Sequence, residues 1–193
     1  WDFVARGVRN SVGFDFHPSS EKLFFTDNGR DWLGDDSPSC ELNRVDADGS
    51  FYGFPFKHAS NVVDPEFGNI NSGFNFIDPI LELGAHVAPT GVAFYDGKMF
   101  PEEFQENLFI TLHGSWNRSQ KVGYKLIRVI FDEAGDVEAS EDFINGWLNS
   151  DIDESGNIVE TVFGRPSAPF IRSDGSMLIS DDKANLIYRV FLK

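Results

Sequence analysis

Three segments of this chain repeat one pattern, and the repetition limits the possible folds more than any other feature. The run Phe16-HPSSEK-LFFTD, ending at Asp27, aligns without a gap on Phe170-IRSDGS-MLISD, ending at Asp181. The middle copy is Phe94-YDGKMFPEEFQEN-LFIT, with a longer connection through Met99–Asn107. After its apolar run each copy has a polar loop: NGRDW at 28–32, HGSWN at 113–117 and DKAN at 182–185. Each copy then closes on an apolar-Arg-Val segment: LNRV at 42–45, LIRV at 126–129 and IYRV at 187–190.

The apolar runs are short, rich in aromatic and β-branched residues, and bounded by Gly, Asp, Ser and Asn, so they read as strands. No segment sustains a helical apolar period; Pro101–Gln105 reads as one helical turn at most. Repeated units of this kind bury their faces against one another, as the blades of β-propellers do. The expectation is an all-β chain. It comprises about three four-stranded blades, half of a six-bladed ring, as a single propeller fragment over residues 1–193. The repeats run approximately 2–50, 78–132 and 136–193, with a loop-rich insertion at 51–77. The repeated Arg44, Arg128 and Arg189 are expected to be outer-strand charges facing solvent, which blunt a sheet edge.

Composition narrows the function. Twenty Phe and an aromatic content of 15% argue against disorder. The formal charge of −15, from 31 acidic and 16 basic residues, argues against nucleic-acid binding, which needs a basic face. No apolar run approaches the roughly 20 residues of a membrane span. Trp1 is not a natural start, so a preceding segment is expected to have been removed or never captured. The single Cys40 rules out an intrachain disulfide and a multi-cysteine zinc site. The acidic clusters at Asp31–Asp36 and Asp151–Glu154 read as solvated loops, with calcium coordination the alternative. Glu41 reads as an ordinary strand-start carboxylate, with ligation of a second calcium the alternative, and His17 as a solvent-exposed turn residue.

Alternate loops of a blade open on one face. The loops at Asn28–Trp32, His113–Arg118 and Asp181–Ala184 should therefore meet the segments entering each first strand: Arg9-Asn10, His86–Pro89 and Gly164–Pro166. The richest is Leu108–Arg118, where an apolar strand runs into His113, Ser115, Trp116, Asn117 and Arg118. Loops set on a rigid sheet are where binding groups collect. Trp116 fits equally a plug between blades or a stacking surface for a ligand, and His113 a loop tie or a site-facing imidazole.

The segments ELNRV, YGFPF followed by His58, DPEFG, LELGAHVAP, HGSWNRSQKVGYKLIRV, INGWL, FGRP and SDGSMLISDDKANLIYRV occur in one order over nearly the whole chain. In this they resemble the soluble quinoprotein sugar dehydrogenases, most closely the L-sorbosone dehydrogenase branch. The resemblance implies a six-bladed propeller that binds pyrroloquinoline quinone (PQQ) and Ca²⁺ and oxidises a sugar or aldose, with hydride passing to the quinone. It implies cofactor contacts from Arg9, Asn10 and Arg165, and calcium ligation by the main-chain carbonyls of Gly29 and Arg30. His86, His113, Trp116, Asn117, Arg118 and Lys183 lie in matching segments on the same face and are carried over as cofactor-binding.

The family's general-base histidine lies in the N-terminal half of the ring, outside this chain, so no catalytic residue is assigned. Lys57 stands where many relatives have a cysteine. The implied partners are a small sugar and either a second copy or the N-terminal half; the implied location is periplasmic or secreted. A propeller of the same lineage that only binds is the alternative. A calcium-dependent lactonase ranks last, because the axis-facing groups are cationic or imidazole rather than Glu and Asn.

Overall fold

The computed structural model describes residues 1–193. It is all-β, and its one helical element is a 3-10 turn at Glu102–Phe104, where the sequence allows one turn. The first sheet orders its strands Phe14–Phe16, Leu23–Asp27, Ser39–Arg44 and Leu81–Ala85. The second orders Pro89–Phe94, Leu108–Leu112, Lys125–Phe131 and Val137–Ile144. The third has three strands, Pro166–Ile171, Met177–Asp181 and Leu186–Val190, where four were expected. Within each of these sheets all pairings are antiparallel, and the sheets do not close into a ring.

The outermost strand of each four-stranded sheet comes from the start of the next repeat. Val137–Ile144 is largely solvent-facing and so carries no apolar signature by which sequence could assign it. No helix is long and apolar enough to cross a membrane.

The second sheet is buried on both sides. Leu108, Ile110 and Leu112 pack with Phe24, Leu42, Val92 and Phe94 toward the first sheet. Phe109 points the other way, into a cluster with Tyr95, Leu126, Trp147, Met177 and Ile179 toward the third. Side chains of a strand alternate between faces, so a strand packed on both sides reads as an unbroken apolar run.

The first strands of the three sheets meet backbone to backbone. A Cβ on Gly13 would sit 2.8 Å from Thr90 O; one on Gly91 would sit 2.5 Å from Ala168 Cα and 2.6 Å from Ser167 O. Threonines of the second strands pin the contact. Thr111 Oγ1 donates to Ser167 O at 2.8 Å, and the equivalent Thr26 Oγ1 lies 3.4 Å from Pro89 O.

Two expectations are corrected. The three repeat arginines are not alike: the Arg128 side chain is only 9% accessible against 46% for Arg189. In the first two sheets a fourth strand covers the edge these arginines were to blunt. Arg128 instead lies 4.1 Å from the Phe104 ring centroid and binds Asn107 Oδ1, Glu103 O and Glu141, fastening down the long middle connection. His17 is half-buried rather than solvent-exposed: its ring meets Phe94 edge-on at 4.9 Å, and Nδ1 accepts from Ser19 N and Ser20 N.

The stretch 51–77 carries a short hairpin of Lys57–His58 and Val62–Val63, and a parallel pairing of Ser50–Phe51 with Ala5–Arg6. Its own aromatics stack: Phe51 on Phe74 at 4.3 Å, and Phe56 on Phe76 at 6.1 Å. Glu41 joins this stretch to the first sheet. Its Oε1 accepts from Ala59 N at 2.7 Å and its Oε2 from Asn43 Nδ2 at 2.9 Å, while Asn43 Oδ1 is buried without a partner. Burial pushes the Glu41 carboxyl up to about 7, partly offset by those two donors and reinforced by Asp27 on the adjacent strand.

Two predictions follow from this packing. Gly91→Ala forces apart backbones already in contact and should cost about 1–3 kcal/mol, read by urea unfolding. A carboxyl whose pKa rises on folding keeps its proton in the folded chain after the unfolded chain has lost it. Stability from Glu41 is therefore full below about 4.5 and is lost as pH climbs to about 7. Glu41→Gln has no proton to lose and should flatten that part of the pH–stability curve, while a turned-over Asn43 amide offers its unpaired Oδ1 to the new Nε2. An unchanged slope would show that another group is responsible.

Candidate functional site

At one end of the sheets, carboxylates that end the second strands hold the neighbouring loops. Asp27 accepts from Arg9 N at 2.8 Å and Asn10 N at 2.6 Å. Its equivalent, Asp181, accepts from Arg165 N at 2.9 Å, Lys183 N at 3.1 Å and Ala184 N at 2.8 Å. The middle copy has Leu112 at this position, and backbone bonds substitute: His113 N to Ala88 O and Gly114 N to Val87 O, both 2.9 Å. Burial raises the Asp27 carboxyl despite its N–H donors. At Asp181 burial also pushes upward, but the donors from Arg165, Ala184 and Tyr188 outweigh it and the carboxyl is held low.

These anchors bring most of the expected residues to one face. Arg9 donates to Asn28 O at 3.1 Å and pairs with Asp31 at 3.3 Å. The other oxygen of Asp31 accepts from Asn117 Nδ2 at 2.8 Å, so one carboxylate bridges the loops of the first and second sheets. Arg118 Nε donates to Asp35 O at 2.9 Å, and its guanidinium pairs with Asp36. The Asp31–Asp36 cluster is thus tied to Arg9, Asn117 and Arg118. The second acidic cluster lies apart on the Leu148–Ile152 and Ile158–Val162 hairpin, where Asp153 caps its own turn through Ser155 N and Asn157 N.

Between the second and third sheets lies a cleft of about 370 Å³, lined by Ser115, Trp116, Arg118, Lys121, Tyr124, Val162, Arg165 and Lys183. Arg165 Nε donates to His113 O at 3.1 Å and its Nη2 to Gly114 O, with the guanidinium 5.6 Å from the Tyr124 ring centroid. Carbonyls orient this cation without neutralising it. Lys183 is exposed and forms no ion pair, while Lys121 pairs with Glu160 at 3.2 Å. His113 does not line the cleft; its Nε2 is bonded to Asp182 at 3.0 Å.

One expected residue is turned away from the cleft, and two are open to solvent. The His86 ring is buried and turned away from the cleft, donating from Nε2 to Gly34 O at 2.7 Å. Trp116 is 66% exposed and so is no plug between sheets. Asn10 is exposed, with its backbone held by Asp27.

The loop of Gly29 and Arg30 is fixed by groups that residue patterns did not single out. Gly29 packs against the chain at 38–39, where a Cβ would sit 2.9 Å from Pro38 O. The Arg30 guanidinium pairs with buried Asp64, which also binds His58 Nε2 at 2.8 Å and accepts from Glu66 N and Phe67 N, each at 2.8 Å. Burial pushes the Asp64 carboxyl up, but these donors outweigh it and hold it far below the ordinary carboxylate range. In the residues this hub shows as the Asp64-Pro65 turn former within DPEFG and as His58 after YGFPF, with nothing to join them to Arg30. Neither the Gly29 nor the Arg30 carbonyl accepts a hydrogen bond from the chain. No group of three or more His, Cys, Asp or Glu side chains is placed to hold a metal ion.

A family model described as TrAA12-like matches residues 71–191, and the chain belongs to that family. An uncharacterized protein of Borreliella burgdorferi is 43% identical over 192 residues, covering 98% of this chain and 48% of that protein. Among solved structures, the iodide structure of the Trichoderma reesei carbohydrate-active enzyme of family AA12 superposes with a TM-score of 0.71 at 23% identity, covering 96% of this chain and 53% of that one. The holo form of the pyranose dehydrogenase PQQ domain from Coprinopsis cinerea superposes with a TM-score of 0.66 at 19% identity, covering 98% and 55%. At these identities the structures establish the shared fold. The chain spans about half the length of the relatives it matches.

Proposed function

We propose that this chain supplies the cofactor wall of a PQQ-dependent sugar dehydrogenase, in the manner of the L-sorbosone dehydrogenase branch. One observation carries the reading: Arg165, oriented only by main-chain carbonyls, and unpaired Lys183 converge with Trp116 on one cleft. Such a cleft suits a flat, aromatic, polyanionic ligand. An arginine fork matches a carboxylate, and an indole face matches a planar ring. PQQ, when bound, accepts the hydride from the sugar, and calcium polarises its quinone carbonyl as a Lewis acid.

The chain's own residues divide the remaining work. Arg165 and Lys183 would hold carboxylates and favour negative charge in the cleft. Gly29 and Arg30 would offer Ca²⁺ their uncommitted carbonyls, the hard oxygen donors it prefers. Arg9, Asn117 and Arg118 would hold the loops in register, with Asn10 open to solvent beside them. His86 would brace the Gly34 turn, and His113 with Asp182 would carry the carbonyl that aims Arg165. The general base would come from the half of the relatives' length that this chain does not span, and the location would be periplasmic or secreted.

Saturable quenching of Trp fluorescence by PQQ in excess Ca²⁺, abolished by EDTA, is the expected result. Arg165→Ala should weaken it at least about tenfold. Absence of calcium-dependent saturation would overturn the reading.

Phe14, Phe16 and Phe170 on the first strands, and Ile187 on the last, are exposed. Apolar surface of this kind marks an interaction face. Self-association is accordingly expected in sedimentation velocity, and a monodisperse monomer would count against it.

A further inference from the structure

Trp32 and Trp116 come from different sheets and meet in the open. Trp32 is 81% exposed and Trp116 66%, yet their ring centroids lie 5.9 Å apart at an interplanar angle of 84°. Two large apolar rings left this open to water gain nothing for the core. The chain nevertheless constrains their loops. Trp32 has a φ of +70°, a left-handed conformation that bulky residues avoid. Asp31, just before Trp32, accepts from Asn117, just after Trp116, at 2.8 Å. Arg118 fastens the same two loops through Asp35 O at 2.9 Å. The corner is therefore set before any ligand arrives.

Its shape narrows the kind of ring it can hold. A flat aromatic molecule is held best by parallel faces, as in a slot. Two rings at right angles form an L, which suits a puckered saturated ring with C–H groups on both its face and its edge. The Asp31 carboxylate borders the corner, one oxygen held by Arg9 and the other by Asn117 Nδ2. Apolar C–H faces bordered by hydroxyls are what a pyranose presents.

We infer that Trp32 and Trp116 form a binding corner for a sugar in its pyranose form, with one indole under the ring and the other against its edge. Trp116 also lines the cationic cleft, so a sugar held there would lie beside it. The choice of sugar as the ligand rests on the dehydrogenase reading above; the placement on this aromatic corner rests on the geometry alone.

The test uses the chain without PQQ. Glucose and cellobiose are titrated while Trp fluorescence and saturation transfer to sugar C–H protons are followed, with sorbitol as an acyclic polyol control. Millimolar binding of the pyranoses and none of sorbitol is expected. Trp32→Ala and Trp116→Ala should each weaken it about tenfold or more, and Trp32→Phe should retain part of it. Trp32 is exposed, so its variants should keep the wild-type urea midpoint, and a loss of binding would not report unfolding. No saturation transfer to any pyranose, equal binding of sorbitol, or wild-type affinity in Trp32→Ala would overturn the inference. A parallel PQQ titration separates the two readings. Sugar binding without PQQ binding would sink only the cofactor wall; PQQ binding without sugar binding would sink only the corner.

Discussion

The close approach of the first strands is the contact on which the rest of the structure depends. Gly13 and Gly91 let neighbouring backbones touch where any side chain would force them apart, and Thr26 and Thr111 reach across the seam to the next strand's carbonyls. With the backbones this close, the sheets fan outward, and the wedges between them fill with Phe24, Leu42 and Phe94 on one side and Phe109, Tyr95 and Met177 on the other. Interiors pack to near-crystalline density, so a small displacement at the seam is passed outward to both clusters.

The same seam builds the candidate site. Sheets that fan from a common line bring the ends of their second strands together, and those ends carry Asp27 and Asp181. Each carboxylate gathers backbone N–H groups from the segment entering its own sheet, which sets Arg9 and Arg165 at matching positions. From there the two arginines differ. Arg9 is committed to Asn28 O and Asp31 and serves the loops, whereas Arg165 is bonded only to carbonyls and keeps its charge for the cleft. Repetition provides the scaffold, and departures from it provide the chemistry: Leu112 in place of the strand-end Asp, Trp32 and Trp116 on the first two loops with no counterpart on the third, and Arg30 tied to the insertion through Asp64.

Much of this was legible in the residues. The gapless match of the first and third copies, the β-branched and aromatic runs, and the Gly, Asp and Asn punctuation led to an all-β repeat with loops converging on one face. Those signals are local and periodic, so composition and spacing carry them. The arginine of the middle repeat was misread, because its position looked identical in all three copies. Only the fourth strand and the long connection at 99–107 decide that Arg128 is buried. Trp32 passed as one residue of a polar loop. Its partner Trp116 is far away in sequence, and nothing in the pattern signals a cross-sheet aromatic contact.

The sequence alone determined the apolar strands of the three repeats, their alternation and the turns, since each is written in neighbouring residues. Tertiary structure decided which histidine faces what, which arginine keeps its charge, how Asp64 holds Arg30, and that two distant indoles meet at a right angle. Each of those outcomes depends on distances between residues far apart in the chain, and burial and electrostatics act through those distances.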